Sequence, residues 1–313
     1  FFSAMDALEY ALKQALRRAG KVDPNVLPAG FTSISDALSR ASGGFGQMSP
    51  FIKTGTTGVA TVTSSLWRAG AQPPSGAAPA AAAGGTAYTR ASTGALPMVN
   101  PPVANTLHLV GADVSASVAN NSLLLYDLIF GVAKLMNSTA TEAVTGVPTR
   151  YQNQVAGNPD YIGGNFLFVQ VGGTALAATA HNWTVCLYTD QGGASSTLPS
   201  LTGNASAIVD RLDHPVQQWF APLASGDVGI KALTQMQASA LVATGVIWFM
   251  IGHPLGIMSF PVTSSMFPFD WLTNRNQAPY IYDNACLAFL ELTKPSTALS
   301  AYTGVIHMTA AAS

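Results

Sequence analysis

The residues best able to move a proton or hold a metal ion crowd into VDRLDHPVQQWF, where Asp210, Asp213 and His214 fall within five positions. Two carboxylates beside an imidazole could act as an acid–base pair or as ligands for a divalent cation. Aspartates next to Pro and Gly also cap turns and close loop salt bridges, and that is the expected role here, as it is for Asp190 in YTDQGG and Asp227 in ASGDVG. The other histidines, His108, His181, His253 and His307, form no HxH or HExxH spacing. Three glutamates, Glu9, Glu142 and Glu291, leave little material for a glycosidase pair. There is no GxSxG nucleophile elbow and no GxxxxGK[ST] or GxGxxG phosphate loop. The expectation is a protein without catalytic residues, metal or cofactor.

Large aromatics offer a different chemistry. Trp219 and Phe220 in WFAPL, and Phe267, Phe269 and Trp271 in MFPFDWL, sit in proline-containing, loop-like contexts. Rings on loops anchor interfaces or stack on sugars. A basic group, Lys13, Arg17, Arg18 and Lys21, reads as a solvated helix end. Asn120, Asn137, Asn182 and Asn204 match the glycosylation pattern, as chance predicts in a chain rich in Asn, Ser and Thr. Cys186 and Cys286 lie in apolar runs and read as free buried thiols.

The elements that must position these residues change along the chain. SAMDALEYALKQALRRAG reads as a helix. Ser3 caps it, Met5, Leu8, Leu12 and Leu16 make one apolar stripe, and Gly20 ends it. A second short helix is expected at SISDALSRA, 33–41, closed by Gly43-Gly44. Together, residues 1–70 read as a helical arm whose stripe is an interface candidate. The run PPSGAAPAAAAGG, 73–85, is too small-residued to build a core, so 71–102 reads as an extended linker carrying that arm to a neighbour. From 103 to 313 the period becomes two. Strands are expected at 106–117, 122–133, 165–171, 182–189, 229–240, 240–252, 281–293 and 302–309, with Asn120-Asn121 a turn. Residues 240–252 are too short for a membrane helix, and His253-Pro254 should end that strand. Many short strands without alternating helices predict a mainly β chain, an antiparallel β-sandwich or jelly-roll-like body with a short α-helical N-terminal arm.

Composition adds a constraint on surface. Of 313 residues, 48% are hydrophobic and only 9% charged, and the net charge is −1. So weak a field neither attracts nucleic acid nor keeps monomers apart. Much of the surface is therefore expected to be covered by other subunits, with no membrane contact. The chain opens at Phe1 without an initiator Met, which reads as a processed or incomplete end.

Several stretches taken together, LLLYDLIFG, TGVPTRYQ, NWTVCLYTDQGG, LASGDVGIKALTQMQAS and IYDNACLAFLEL, resemble structural proteins encoded in tailed-bacteriophage genomes. The resemblance covers most of residues 100–313 and carries over no functional residue. It implies a β-rich virion subunit assembled in the host cytoplasm, such as a head decoration or cement protein. Its partners would be itself, often as a trimer, and other capsid proteins. A jelly-roll major capsid protein and a receptor- or glycan-binding tail or fibre module are the alternatives.

Overall fold

The computed structural model describes residues 31, 33–55, 62–81, 84–101, 105–152, 164–215, 218–272, 278–293 and 299–312. The expected first helix, with Met5, Leu8, Leu12 and Leu16, lies outside them. Strand makes up 47% of the chain and helix 5%, so the mainly β, antiparallel class holds. Helix α1 (Ile34–Arg40) stands where SISDALSRA predicts it. Ser33 Oγ accepts from Asp36 N at 3.0 Å, Arg40 pairs with Asp36 one turn back, and Gly44 leaves the helical stretch at φ 92°.

Among the described residues, ten strands of five or more residues follow: β1 (Gly46–Thr54), β2 (Asn105–Ala116), β3 (Asn121–Leu135), β4 (Phe166–Val171), β5 (Asn182–Asp190), β6 (Ile230–Ala238), β7 (Val246–Phe260), β8 (Met266–Asp270), β9 (Leu287–Thr293) and β10 (Ala301–Ala312). They make three sheets. The central one runs β9–β3–β7–β4, a second runs β8–β2–β10–β1, and a third is built on the pair β5–β6.

The long strands β3 and β7 are the spine, and their bulges explain how one sheet face serves two partners. Leu123 and Leu125 of β3, with Leu255 and Met258 of β7, pack on Leu107, Val114 and Ile306 of the second sheet. Further along, Phe130 and Val132 with Ile247, Phe249 and Ile251 pack on Trp183, Leu233 and Met236 of the third. Strict alternation would send Leu125 and Phe130 to opposite faces. The register slip at Ile251/Gly252, opposite Leu128 and Phe130, puts them on the same one. The second slip, at Pro254/Gly256, corrects a sequence expectation: His253-Pro254 does not end the strand, because the bulge accommodates the proline and β7 continues to Phe260. Residues 241–245, expected in that strand, form the turn before it.

The Ala/Gly/Pro-rich stretch, read from sequence as a spacer leading elsewhere, is held by the central sheet: part of its described length bonds along the edge of β3, and part packs on the sheet's other face. Ala133 N donates to Ala80 O at 2.8 Å, residues 86–87 pair with β3, and Trp67, Tyr88 and Ala95 pack on Leu124, Tyr126, Phe168 and Trp248. Small residues are needed because backbone meets ring: a Cβ on Gly76 would stand 2.1 Å from the Trp67 indole. Lys53, buried on β1, fastens the stretch by donating to Ala69 O and Pro73 O, both at 2.9 Å; burial lowers its pKa to about 8. Gly76→Ala is expected to destabilise by about 1–3 kcal/mol. Chemical denaturation checks this, and an unchanged midpoint would show that the segment is not packed as described.

Candidate functional site

The residues singled out for chemistry are separated by the fold. Asp213 is fully buried and accepts from His181 Nε2 (2.8 Å), Trp183 Nε1 (2.8 Å) and Asn204 N (2.6 Å). Burial by itself pushes His181 down, but the hydrogen bond and charge of Asp213 outweigh it and leave the ring raised. His214 points to a different partner, accepting from Val169 N at 2.8 Å, and burial lowers it to about 4, so it is neutral. Asp210 sits at φ 70°, where its backbone joins Val171 and Ser65; burial raises its carboxyl to about 6 against the pull of Arg68. Residues 210–213 and Ala221 thereby cover the free edge of β4, bonding to Leu167, Val169 and Val171. Among the described residues no three His, Cys, Asp or Glu side chains stand close enough to share a metal ion.

A second buried network went unread in the sequence. Asp127, on β3 at the bulge, makes a bidentate pair with Arg150 (3.0 Å to each oxygen) and accepts from Cys286 N at 2.7 Å. Arg150 also donates to Tyr88 O and Leu128 O, so one guanidinium ties the Ala/Gly/Pro-rich stretch, the bulged strand and the turn before β9 together. Tyr151 stacks on His253 with ring centres 3.9 Å apart, and His253 Nδ1 meets Asn165 Oδ1 at 2.9 Å. Both cysteines are free and buried, as expected, and burial raises the Cys186 thiol to about 12.

The aromatic candidates also divide. Trp219 packs edge-on to Phe166 (5.0 Å) and beside Phe220 (4.7 Å), which is 40% exposed. MFPFD is not a loop but strand β8, an edge strand where proline is tolerated. Its alternation turns Phe267 and Phe269 inward, onto Phe260, and Trp271 beyond it is fully buried. Trp271 is therefore core and cannot stack on a sugar. The two groups belong to cores on opposite faces of the central sheet and form no shared platform.

What the alternation of β8 exposes is more informative. On the outer face of the second sheet, Met266 and Pro268 of β8 line up with Val305 of β10 and with Met48, Pro50 and Ile52 of β1. Met266 is 56% exposed, Met48 70% and Ile52 50%. The charged groups beside them on β2 and β10 are Asp113 and its partner His307, 2.8 Å apart. One end of this same face is closed: Phe31 lies on His108 (4.9 Å between rings), and Ala37 of α1 packs with Leu272 and Ala311. The rest is an open sheet surface, apolar along most of β1 and β8 and mixed between them, where Ser115 and Thr303 share the face with Val305. The signal was in MSPFIKT and MFPFD, where apolar residues occupy both parities, but the sequence reading missed β1 altogether.

No family model and no curated protein sequence matches this chain. Among solved structures it is similar to the crystal structure of the infectious bursal disease virus VP2 subviral particle, at 8% identity, over 84% of this chain and 79% of that one. The TM-score is 0.16, so this faint likeness to a viral capsid particle carries no argument about what the chain does.

Proposed function

We propose that this chain is a non-enzymatic structural subunit of a virus particle, a bacteriophage head decoration or cement protein acting through contacts with its own copies and with the coat. The observation that supports the reading is the open face formed by β8, β2, β10 and β1, with Met48, Ile52 and Met266 exposed on it, on a chain with 9% charged residues. Such a face on a free subunit drives association, and a lattice of neighbours covers it. The carboxylates and histidines considered for catalysis favour the same reading, because Asp213, His181 and His214 are buried and engaged within the chain.

The test is to purify particles from producing cells, measure the chain's copy number by quantitative mass spectrometry, and repeat with its gene disrupted. The expected result is symmetry-related copies on intact particles, and shells that still assemble without it but break at lower temperature. Absence of the chain from particles overturns the proposal. Failure of any shell to form without it replaces decoration with a major capsid role.

A further inference from the structure

We infer that the buried carboxylate of Glu291 holds a monovalent metal cation, of sodium or potassium size, at the junction of the central and second sheets. The inference goes beyond the virion reading and does not depend on it.

The site is built where the ends of β1, β3, β9 and β10 meet. Glu291 of β9 and Asn121 at the start of β3 come from the central sheet, and Tyr302 of β10 comes from the second. Two residues before Glu291, Phe289 packs on Phe51 of β1, so strand alternation turns Glu291 towards the second sheet as well. Ser300 precedes β10, and Gly55, just past β1, donates its N–H to Ser300 O at 2.6 Å. Glu291, Ser300 and Tyr302 are fully buried, and Asn121 is 1% exposed.

The chain's own hydrogen bonds serve one oxygen of the carboxylate. Oε1 accepts from Asn121 Nδ2 at 3.0 Å and from the Tyr302 hydroxyl at 2.7 Å. Asn121 Nδ2 also meets Tyr302 OH and, at 3.4 Å, Ser300 Oγ. Oε2 has no hydrogen-bond partner, and neither has Asn121 Oδ1. Among the described residues no Lys, Arg or His pairs with Glu291. Lys53 lies opposite Tyr302 in the β1–β10 register, but its ammonium is spent on Ala69 O and Pro73 O.

A carboxylate in the core without countercharge is costly, and so is each unmet polar atom. Both unmet atoms here are oxygens that accept. A water molecule donates to such oxygens and leaves the charge uncompensated, whereas a metal cation meets both needs. Carboxylate, amide and carbonyl oxygens are hard ligands, suited to cations that bind through oxygen. One carboxylate balances one positive charge, and a divalent ion would leave a surplus buried. The room comes from Gly55. A Cβ at that residue would stand 3.3 Å from Glu291 Oε2 and 3.4 Å from Ser300 O. Two oxygens thus flank a position that a side chain would fill, and one of them is the unmet carboxylate oxygen. An ion there ties β9 of the central sheet to the ends of β1 and β10 in the second.

Thermal unfolding of the full chain at neutral pH and constant ionic strength tests this, with choline chloride exchanged for NaCl or KCl. The expected result is a midpoint raised by about 2 °C or more in at least one metal salt, because a ligand bound only by the folded state stabilises it. Glu291→Gln keeps the side chain's shape, removes its charge and is expected to abolish the rise. Gly55→Ala puts a methyl group in the position and is expected to abolish it too, which keeps the test decisive where the glutamine variant does not fold. Glu142→Gln removes a carboxylate that pairs with Lys134 elsewhere and should leave the rise intact. Equal midpoints in choline, sodium and potassium overturn the inference, and so does a rise that survives substitution at Glu291 or Gly55. A rise with CaCl2 alone also overturns it, since the site would then take a divalent ion.

Discussion

Arg150→Ala is expected to destabilise the protein by about 3–5 kcal/mol, the loss that follows when one partner of a buried ion pair is removed. Asp127 is fully buried, and Arg150 supplies two of its hydrogen bonds while satisfying the carbonyls of Tyr88 and Leu128. Without the guanidinium, the carboxylate keeps the Cys286 N–H and loses its countercharge. Burial already pushes the Asp127 carboxyl up, with Arg150 opposing, so removing Arg150 raises it further. A raised folded-state carboxyl binds its proton more readily than the unfolded chain does. The deficit relative to the parent should therefore shrink as pH falls from 7 towards 5. Urea denaturation of both proteins at matched pH checks both statements. The Asp127→Asn/Arg150→Met pair should recover part of the loss. A deficit under 1 kcal/mol, or one that grows on acidification, would show that the pair is not buried as described.

Stability itself should fall steeply between pH 6.5 and about 4. Burial lowers His108 to about 4, His214 to about 4 and His253 to about 3. Their hydrogen bonds agree with neutral rings: His214 Nε2 accepts from Val169 N, and His108 sits between Thr106 and the Ala278 carbonyl. In this window the unfolded chain binds protons at these positions and the folded chain does not, so stability present above pH 6.5 is lost as pH drops. Each ring forced to charge costs on the order of 3 kcal/mol. His181 and Asp127, which are raised, and Asp210, raised to about 6, act in the opposite direction and reduce the total. The measurement is thermal or urea midpoint against pH. A flat profile from pH 7 to 4.5 would mean that the three rings are hydrated.

Local pattern carried some of this structure well. Ser33 and Asp36 mark the start of α1, and FLFVQV separates Phe166 and Phe168 from Leu167, Val169 and Val171, which enter two different cores. The same rule fails in NWTVCLYT, where strict alternation puts Trp183 on the face opposite Cys186 and Tyr188. All three are in one core because the β5–β6 pairing slips beside Trp183. A bulge inserts one residue into the period, and no residue type announces it. PPSGAAPAAAAGG misled for a related reason: small residues suit a free linker and suit backbone pressed against rings, and the choice depends on Trp67 and Phe130 being there.

What the residues alone determined is the class: period-two runs with turn-formers between them make antiparallel strands. Tertiary structure decided which faces are covered and which charges are neutralised. Asp127 finds Arg150 23 positions away and Asp213 finds His181 32 positions away. Chain spacing encodes neither meeting, because a strand sets only the direction of its side chains and the layer that arrives opposite sets their surroundings. For the same reason β1 and β8 each spell two apolar faces, and the fold buries one and leaves the other open.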